Sequence, residues 1–440
     1  MTRSPSPRRV GRRARSRRAA RTRSRMAVVA VSALVLVSIA LALGKFLAGD
    51  DMAAADDSDP GKAQTARRDS EPSADGKARE EEPWDGKVKI LGDGSTSYTG
   101  PQPDQLKAER LKPGEKPPQF VVFSWDGALE GDDHLFSHFR KVAEESDAHM
   151  TFFLTGIYLL PASKKDAYEP PQHERGSAAI SYPTDGHIRS TLEQLRKAWQ
   201  EGHEIGSHFN GHFCGEKGGG DWSVEEWKSE IQQTYDMVKE WKTNTGYTDL
   251  PPLPFDPDRE FVGGRAPCLE GQKTLLSAIG QFDWRYDASS PGDFQIWPGK
   301  KGDIWDFPLQ MLPYPGKEIQ VLGMDFNFLY NQSGGETQGE PSMYPAWEKT
   351  THDAYMNGFN RVYHGSRAPL FIGNHFEQWN GGIYMNAVED VIREVCPRED
   401  VKCVSFRELA DWMDAQDPKV LQRLRSLDPA QAPIWENVVF

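Results

Sequence analysis

The chain has 440 residues, with 52 Lys and Arg against 65 Asp and Glu and a formal net charge of −13. That charge is unevenly spread: residues 1–25 hold 11 Arg and no acid, and removing those 11 from the 52 leaves 41 bases against 65 acids, a net of −24. A body this acidic excludes nucleic acid as its partner, because phosphate binding needs the opposite sign, and the length allows one large domain or two ordinary ones.

Taken in chain order, residues 1–25 read as a basic cytoplasmic arm, and residues 26–43 follow without one charged side chain. With Gly44 and the run after Lys45, this apolar stretch predicts a transmembrane anchor over 26–47. Eleven arginines on its N-terminal side hold that end in the cytoplasm, so the remainder is expected outside the cell membrane in a single-pass arrangement. Small residues near 40–42 and 53–55 leave a cleaved signal, and hence a secreted protein, as the alternative. Residues 48–118 are rich in Asp, Glu, Lys, Gly and Pro with few large apolar side chains. They read as a disordered acidic linker, since burial cannot offset the ordering entropy.

Folded sequence is expected over 119–415, with a C-terminal tail at 416–440. Buried strands are predicted at 119–123, 150–154, 203–206, 261–264, 283–286, 319–322, 369–373 and 401–404. Helices are predicted at 132–145, 191–200, 223–241, 273–279, 385–394 and 406–414, with Ser223 and Glu226 forming a capping box. Strand and helix alternate, which predicts an α/β barrel with its chemistry on the loops after the strands. Insertions at 161–184, 251–258 and 331–344 read as long loops.

The candidate site residues fall at strand ends: Asp126, His208, His212, Arg265, Asp287, Asp306 and His375. His208 and His212 stand four residues apart, a spacing that lets two neutral imidazoles face one divalent cation. A metal there lowers the pKa of its water and polarises a carbonyl, while a separate carboxylate takes a proton and His375 returns one. Asp287, followed by Ser289 and Ser290, reads as a turn or cap. Trp125, Trp297, Trp305 and Trp379 can stack on sugar rings or fill a core; Asn374 and Trp379, beside His375, suit glycan contact. The four cysteines fit an oxidising compartment. Cys396 and Cys403 bracket a short loop, and a Cys214–Cys268 pair would tie together two loops that carry site residues; no CxxC spacing supports a zinc-thiolate centre.

These motifs resemble those of the polysaccharide deacetylases (NodB homology, carbohydrate esterase family four), in particular the chitin deacetylase-like branch. Ser124-Trp125-Asp126-Gly127 matches the family's Thr-Phe-Asp-Asp, and His208-Phe209-Asn210-Gly211-His212 matches its His-Ser/Thr-x-x-His. Arg265-Ala266-Pro267 matches Arg-x-Pro, and Tyr286-Asp287-Ala288-Ser289 matches Tyr-Asp-Ser-Ser. Trp297-Pro298 with Trp305-Asp306-Phe307 is similar to the fourth motif, and Phe371-Ile372-Gly373-Asn374-His375 to the last. The resemblance spans roughly residues 119–414. It implies a distorted (β/α) barrel that removes N-acetyl groups from an N-acetylhexosamine polysaccharide such as peptidoglycan or a chitin-like glycan. It further implies a divalent metal, zinc expected, on His208, His212 and Asp126. Asp126 would serve as base, Arg265 would hold it ionised, and His375 would act as general acid oriented by Asp306. A backbone N–H near Cys268 would help bind the oxyanion. Gly127 departs from the pattern, standing where the family has a metal-binding aspartate. With Asp126 as base, the metal keeps two protein ligands unless Asp132, Asp133 or another carboxylate folds in; with Asp126 on the metal, the motif has no base. A catalytically impaired, glycan-binding protein is therefore the alternative function.

Overall fold

The computed structural model describes residues 84–292 and 294–440. The basic arm, the apolar segment at 26–47 and the linker as far as residue 83 lie outside the described residues. No helix among the described residues is long and apolar enough to cross a membrane.

The first described elements correct the expected extent of the linker. Strands β1 (Lys89–Leu91) and β2 (Thr96–Tyr98) form an antiparallel hairpin. Its buried edge is polar, with Ser95, Thr96 and Ser97 all inaccessible. These groups find partners far along the chain: Ser97 N–H donates to the Leu253 carbonyl at 2.8 Å, and Trp241 Nε1 donates to the Ser95 carbonyl at 2.6 Å. Further on, Gln102 Nε2 donates to the Trp199 and His203 carbonyls, and Leu106 N–H to Glu408. Polar composition disguised this strap, because hydrogen bonds to remote loops hold most of it down, with Leu106, Ala108 and Leu111 alone packing on the core.

The principal sheet has nine strands. In chain order they are β3 (Gln119–Asp126), β4 (Thr151–Leu154), β5 (Glu204–Ser207), β6 (Gly263–Gly264), β7 (Tyr286–Asp287), β8 (Gly299–Lys301) and β9 (Ile304–Asp306), then β12 (Leu370–His375) and β13 (Val401–Cys403). Between them β10 (Met311–Pro313) and β11 (Gln320–Leu322) make a separate hairpin, so the strand predicted at 319–322 lies outside the main sheet. The spatial order is β12-β3-β4-β5-β6-β7-β9-β8, with β13 also on β3; all these pairings are parallel except β8–β9. The result is a curled half-barrel of mixed α/β type, with its two edges unjoined among the described residues. β6 consists of two glycines because its neighbours crowd it. A Cβ on Gly263 would lie 2.3 Å from the Tyr286 ring, and one on Gly264 would lie 2.4 Å from the Ser207 carbonyl.

Alternation along β3 divides the core. Val121, Phe123 and Trp125 pack outward against helices such as Leu135–Glu145, whereas Phe120 and Val122 point inward with Phe153, Tyr286, Phe307 and Phe371. Phe406 plugs the interior, its ring 5.2–5.4 Å from those of Phe371, Phe307 and Tyr286. The expected tail also belongs to this layer: the helix Pro418–Arg425 and then Val438 and Val439 cover its lower side. Predicted helices recur with shifted starts, at Leu135 in place of 132, and at Asp185 in place of 191, where Thr184 accepts the His187 N–H as a cap. The insertion read as a loop at 331–344 is irregular over 334–340 and ends in a short 3-10 turn at Pro341–Met343, connecting the helices Asp325–Ser333 and Tyr344–Tyr363. The second of these helices is not among those predicted: Thr351, Ala354, Tyr355, Gly358, Phe359 and Val362 lie on its buried face, a helical spacing diluted by Thr and Gly.

Trp125 is wholly buried between Phe139, Phe152 and Phe376, and thus belongs to the outer core and not to a sugar platform. Trp125→Ala is expected to cost about 3–5 kcal/mol of stability in denaturant titrations; a loss confined to glycan binding, with stability intact, would contradict this placement.

Candidate active site

The C-terminal ends of β3, β5 and β12 and the turn after β6 converge as barrel topology requires. Asp126 ends β3, His375 ends β12, and the two are direct cross-strand neighbours. His208 follows β5 directly, and Arg265 follows β6. Together with Gly127, Thr155, Tyr158, His212 and Glu377, three of these residues, Asp126, His208 and His375, line a cleft of about 180 Å³.

Arg265 lies beneath the cleft, fully buried, with its guanidinium 4.9 Å from the Phe153 ring centre. It donates to Asp126 Oδ1 at 2.8 Å, to Ser124 Oγ at 2.9 Å and to the Ala288 carbonyl at 3.1 Å. Burial alone would raise the Asp126 carboxyl, but the Arg265 charge, with smaller contributions from His208 and His375, holds it below the ordinary carboxylate value.

His375 is set the opposite way. Its Nδ1 lies 2.8 Å from Asp325 Oδ1, and its backbone N–H donates to Asp325 Oδ2 at 2.6 Å. Burial opposes protonation of the ring, yet the buried Asp325 carboxylate and the nearby Asp126 push it up to about 9. Asp325 was not among the sequence candidates. It stands 50 residues before His375, and a lone backbone bridge between Met324 and Gly373 brings it there, with no motif to mark it. Asp306, expected to orient His375, instead pairs with Lys301 Nζ at 2.9 Å on the β8–β9 hairpin. Parallel pairing of β7 with β9 puts it beside Asp287, away from β12.

The two histidines of the HxxxH spacing do share the cleft, with ring centres 5.3 Å apart. The intervening residues form a loop and not a helical turn, since Phe209 and His212 both have positive φ. His208 Nδ1 donates to the Arg265 carbonyl at 2.7 Å, which leaves Nε2 as a free lone pair. Burial pushes its pKa down to about 3 and also lowers that of His212, so both rings stay neutral. These donors fit a divalent cation held by two imidazoles. Among the described residues no carboxylate groups with both imidazoles: Gly127 offers none, Asp126 gives Oδ1 to Arg265, and Asp132 turns away to His187 at 2.9 Å. Among the described residues, the one trio of His, Cys, Asp or Glu with ligand atoms mutually within 4.8 Å is His212, Cys214 and Cys268. Both of its sulfurs are spent, because Cys214–Cys268 is a disulfide, as is Cys396–Cys403.

Of the expected sugar contacts, Trp379 alone lies at the cleft, its ring 5.5 Å from that of His375. Trp297 is buried against Trp412, with Nε1 donating to the Ser366 carbonyl at 3.0 Å. Asn374 is likewise buried, its Nδ2 directed to the Ser124 carbonyl at 3.3 Å. The alternation of β12 explains this, because a residue next to cleft-facing His375 must face away. Asp287 accepts from Ser289 N–H and Oγ, the turn-capping role expected of it.

No family model and no curated protein matches this sequence. Among solved structures, the chain is similar to polysaccharide deacetylases of carbohydrate esterase family 4. One, assigned to the polysaccharide deacetylases, from Mycobacterium smegmatis, is 16% identical with a TM-score of 0.42, covering 70% of this chain and 96% of that one. The peptidoglycan deacetylase PdaC from Bacillus subtilis is 13% identical with a TM-score of 0.34, covering 69% and 94%. A family 4 pseudoenzyme from Bacillus anthracis is 10% identical with a TM-score of 0.35, covering 71% and 72%. With TM-scores below 0.5 these likenesses assign nothing by themselves, and the function is argued from the site.

The Asp325 contact makes a prediction independent of turnover. Because the folded pKa of His375 lies above the ordinary value near 6.5, its protonation stabilises the fold fully below about pH 6.5. That contribution is lost as pH rises through about 9. An NMR titration of Asp325→Asn should show His375 titrating well below its wild-type value, whereas Asp306→Asn should leave it unmoved. The reverse pattern would restore Asp306 to the role first expected of it.

Proposed function

We propose that this protein is a polysaccharide deacetylase-type hydrolase acting on N-acetylhexosamine polymers such as peptidoglycan or a chitin-like glycan. One observation carries the reading: Asp126 and His375, adjacent across two strands, are driven to opposite protonation states by dedicated buried partners, Arg265 and Asp325. Pairs of titratable groups pushed apart in this way mark an acid and a base. A structural ion pair needs neither the cleft nor the second pair.

In this reaction Asp126, ionised, takes a proton from the attacking water as the water oxygen bonds to the acetyl carbon. His375, protonated, gives a proton to the amide nitrogen as the C–N bond breaks. Acetate leaves, and the amine stays on the polymer. Arg265 keeps the base charged, and Asp325 keeps the acid charged and aimed. A divalent cation, zinc expected, on His208 and His212 would supply Lewis-acid polarisation of the carbonyl. Anchoring in the cell membrane, with the body extracellular, is supported by the eleven arginines before the apolar segment and by two disulfides in the folded part. A secreted form follows if that segment is cleaved.

Gly127 favours a second reading, a glycan-binding protein with a depleted metal site. Acetate release from acetylated glycans, measured with metal content on the purified protein and on His208→Ala/His212→Ala, separates the two. The hydrolase predicts release that falls at least about 10²-fold in the double variant. Glycan binding with no metal and no acetate from any acetylated polymer would leave the binder.

A further inference from the structure

The space beside Gly127 is lined by two hydroxyls with no assigned task. Gly127 has φ +71°, a conformation that strains any other residue, so the backbone itself disfavours a side chain here. A Cβ at this position would lie 3.5 Å from the Tyr158 hydroxyl and 3.9 Å from Thr155 Oγ1. Both residues line the same cleft as Asp126, His208 and His375. Thr155 is 1% exposed, and its Oγ1 has no hydrogen-bond partner among the described residues. The Tyr158 side chain is half-buried, and its hydroxyl makes no hydrogen bond to any described residue, so of the two Thr155 is the buried unpaired group. A buried hydroxyl left unpaired is costly, and such groups tend to await a ligand.

We infer that Tyr158 and Thr155 together form a hydroxyl cradle that hydrogen-bonds the carbonyl oxygen of the ligand's acetyl group. The loop that carries them is short: Thr155 directly follows β4, and Tyr158 lies on the single helical turn Gly156–Leu159 behind it. Two features favour a neutral oxygen acceptor over a cation. The donors are hydroxyls and not carboxylates, and burial pushes the Tyr158 phenol up to about 12, which keeps its proton in place. The absence of a side chain at position 127 leaves that space open to the two hydroxyls. This inference rests on the proposed N-acetyl substrate class, deepening it by naming the residues that read the acetyl group.

Binding of an N-acetylglucosamine tetramer and of its deacetylated counterpart, by calorimetry on the purified protein, provides the test, with Tyr158→Phe and Thr155→Val beside wild type. The cradle predicts that wild type prefers the acetylated tetramer. Each variant should lose about five- to tenfold of that preference while binding the deacetylated tetramer as before. Two variants are used because either hydroxyl can be removed with nearly constant volume. In parallel, acetate release should fall about 10²-fold in Tyr158→Phe, with KM rising about five- to tenfold in step with the lost affinity for the acetylated chain. Acetate release by both variants at the wild-type rate, with the acetyl preference intact, would overturn the cradle and leave the hydrolase standing. Absence of turnover in wild type with an acetyl preference that both variants lose would overturn the hydrolase and leave the cradle standing. Equal binding of the two tetramers by wild type would overturn the cradle outright.

Discussion

A guanidinium sealed inside a half-barrel needs acceptors, and the architecture around Arg265 supplies them to Nε and Nη1 while Nη2 has no partner among the described residues. The side chain is fully buried over the Phe153 ring, and it reaches Ser124 and Asp126 on β3 and the Ala288 carbonyl after β7. One cation therefore ties the strand that carries the base to the far side of the sheet. Its own carbonyl holds His208. Removing either member of a buried ion pair leaves the other uncompensated, typically at a cost of about 3–5 kcal/mol. The charge state of Asp126, the tautomer of His208 and the join between β3 and β7 are for that reason a single coupled arrangement.

Built on this, the cleft has two electrostatic halves. On the β3 side a permanent cation keeps a carboxylate ionised, and on the β12 side a buried carboxylate keeps an imidazole protonated. Between them stand two imidazoles kept neutral by burial. Such an arrangement opposes its own relaxation, since both charged groups are held against desolvation by buried partners of opposite charge. Gly127 offers no side chain to a metal, while the acid, the base and their buried partners stand complete without one, which is why hydrolase chemistry is the reading the geometry supports better.

Stability and chemistry meet in the loops above the sheet. The Cys214–Cys268 disulfide joins the loop after His212 to the turn after Arg265. Glu230, on the helix Val224–Lys239, accepts the backbone N–H groups of Asn210 and Gly211, between the two histidines, together with the Tyr168 hydroxyl. A loop with two non-glycine residues at positive φ needs such external support, because its own backbone geometry is unfavourable.

The sequence by itself determined the alternation of strands and helices and the motif residues Asp126, His208, His212, Arg265 and His375, and it marked four cysteines as disulfide candidates whose pairing the tertiary structure decided. Each is written locally, in apolar runs that end at a polar residue or in short spacings, and parallel strands necessarily bring such ends to one rim. Tertiary structure alone decided the partners. Asp325 replaced Asp306 beside His375 because a single backbone bridge, between Met324 and Gly373, set the register. Trp125, Trp297 and Asn374 left the cleft because the alternating faces of a strand and the packing of a core decide which way a side chain points. The strap at 89–118 escaped notice because its contacts are mostly hydrogen bonds to residues more than a hundred positions away, such as those of Ser97 and Leu106. Composition reports whether a segment can bury apolar surface, and it is silent about polar groups that find their partners only once the rest of the chain has folded.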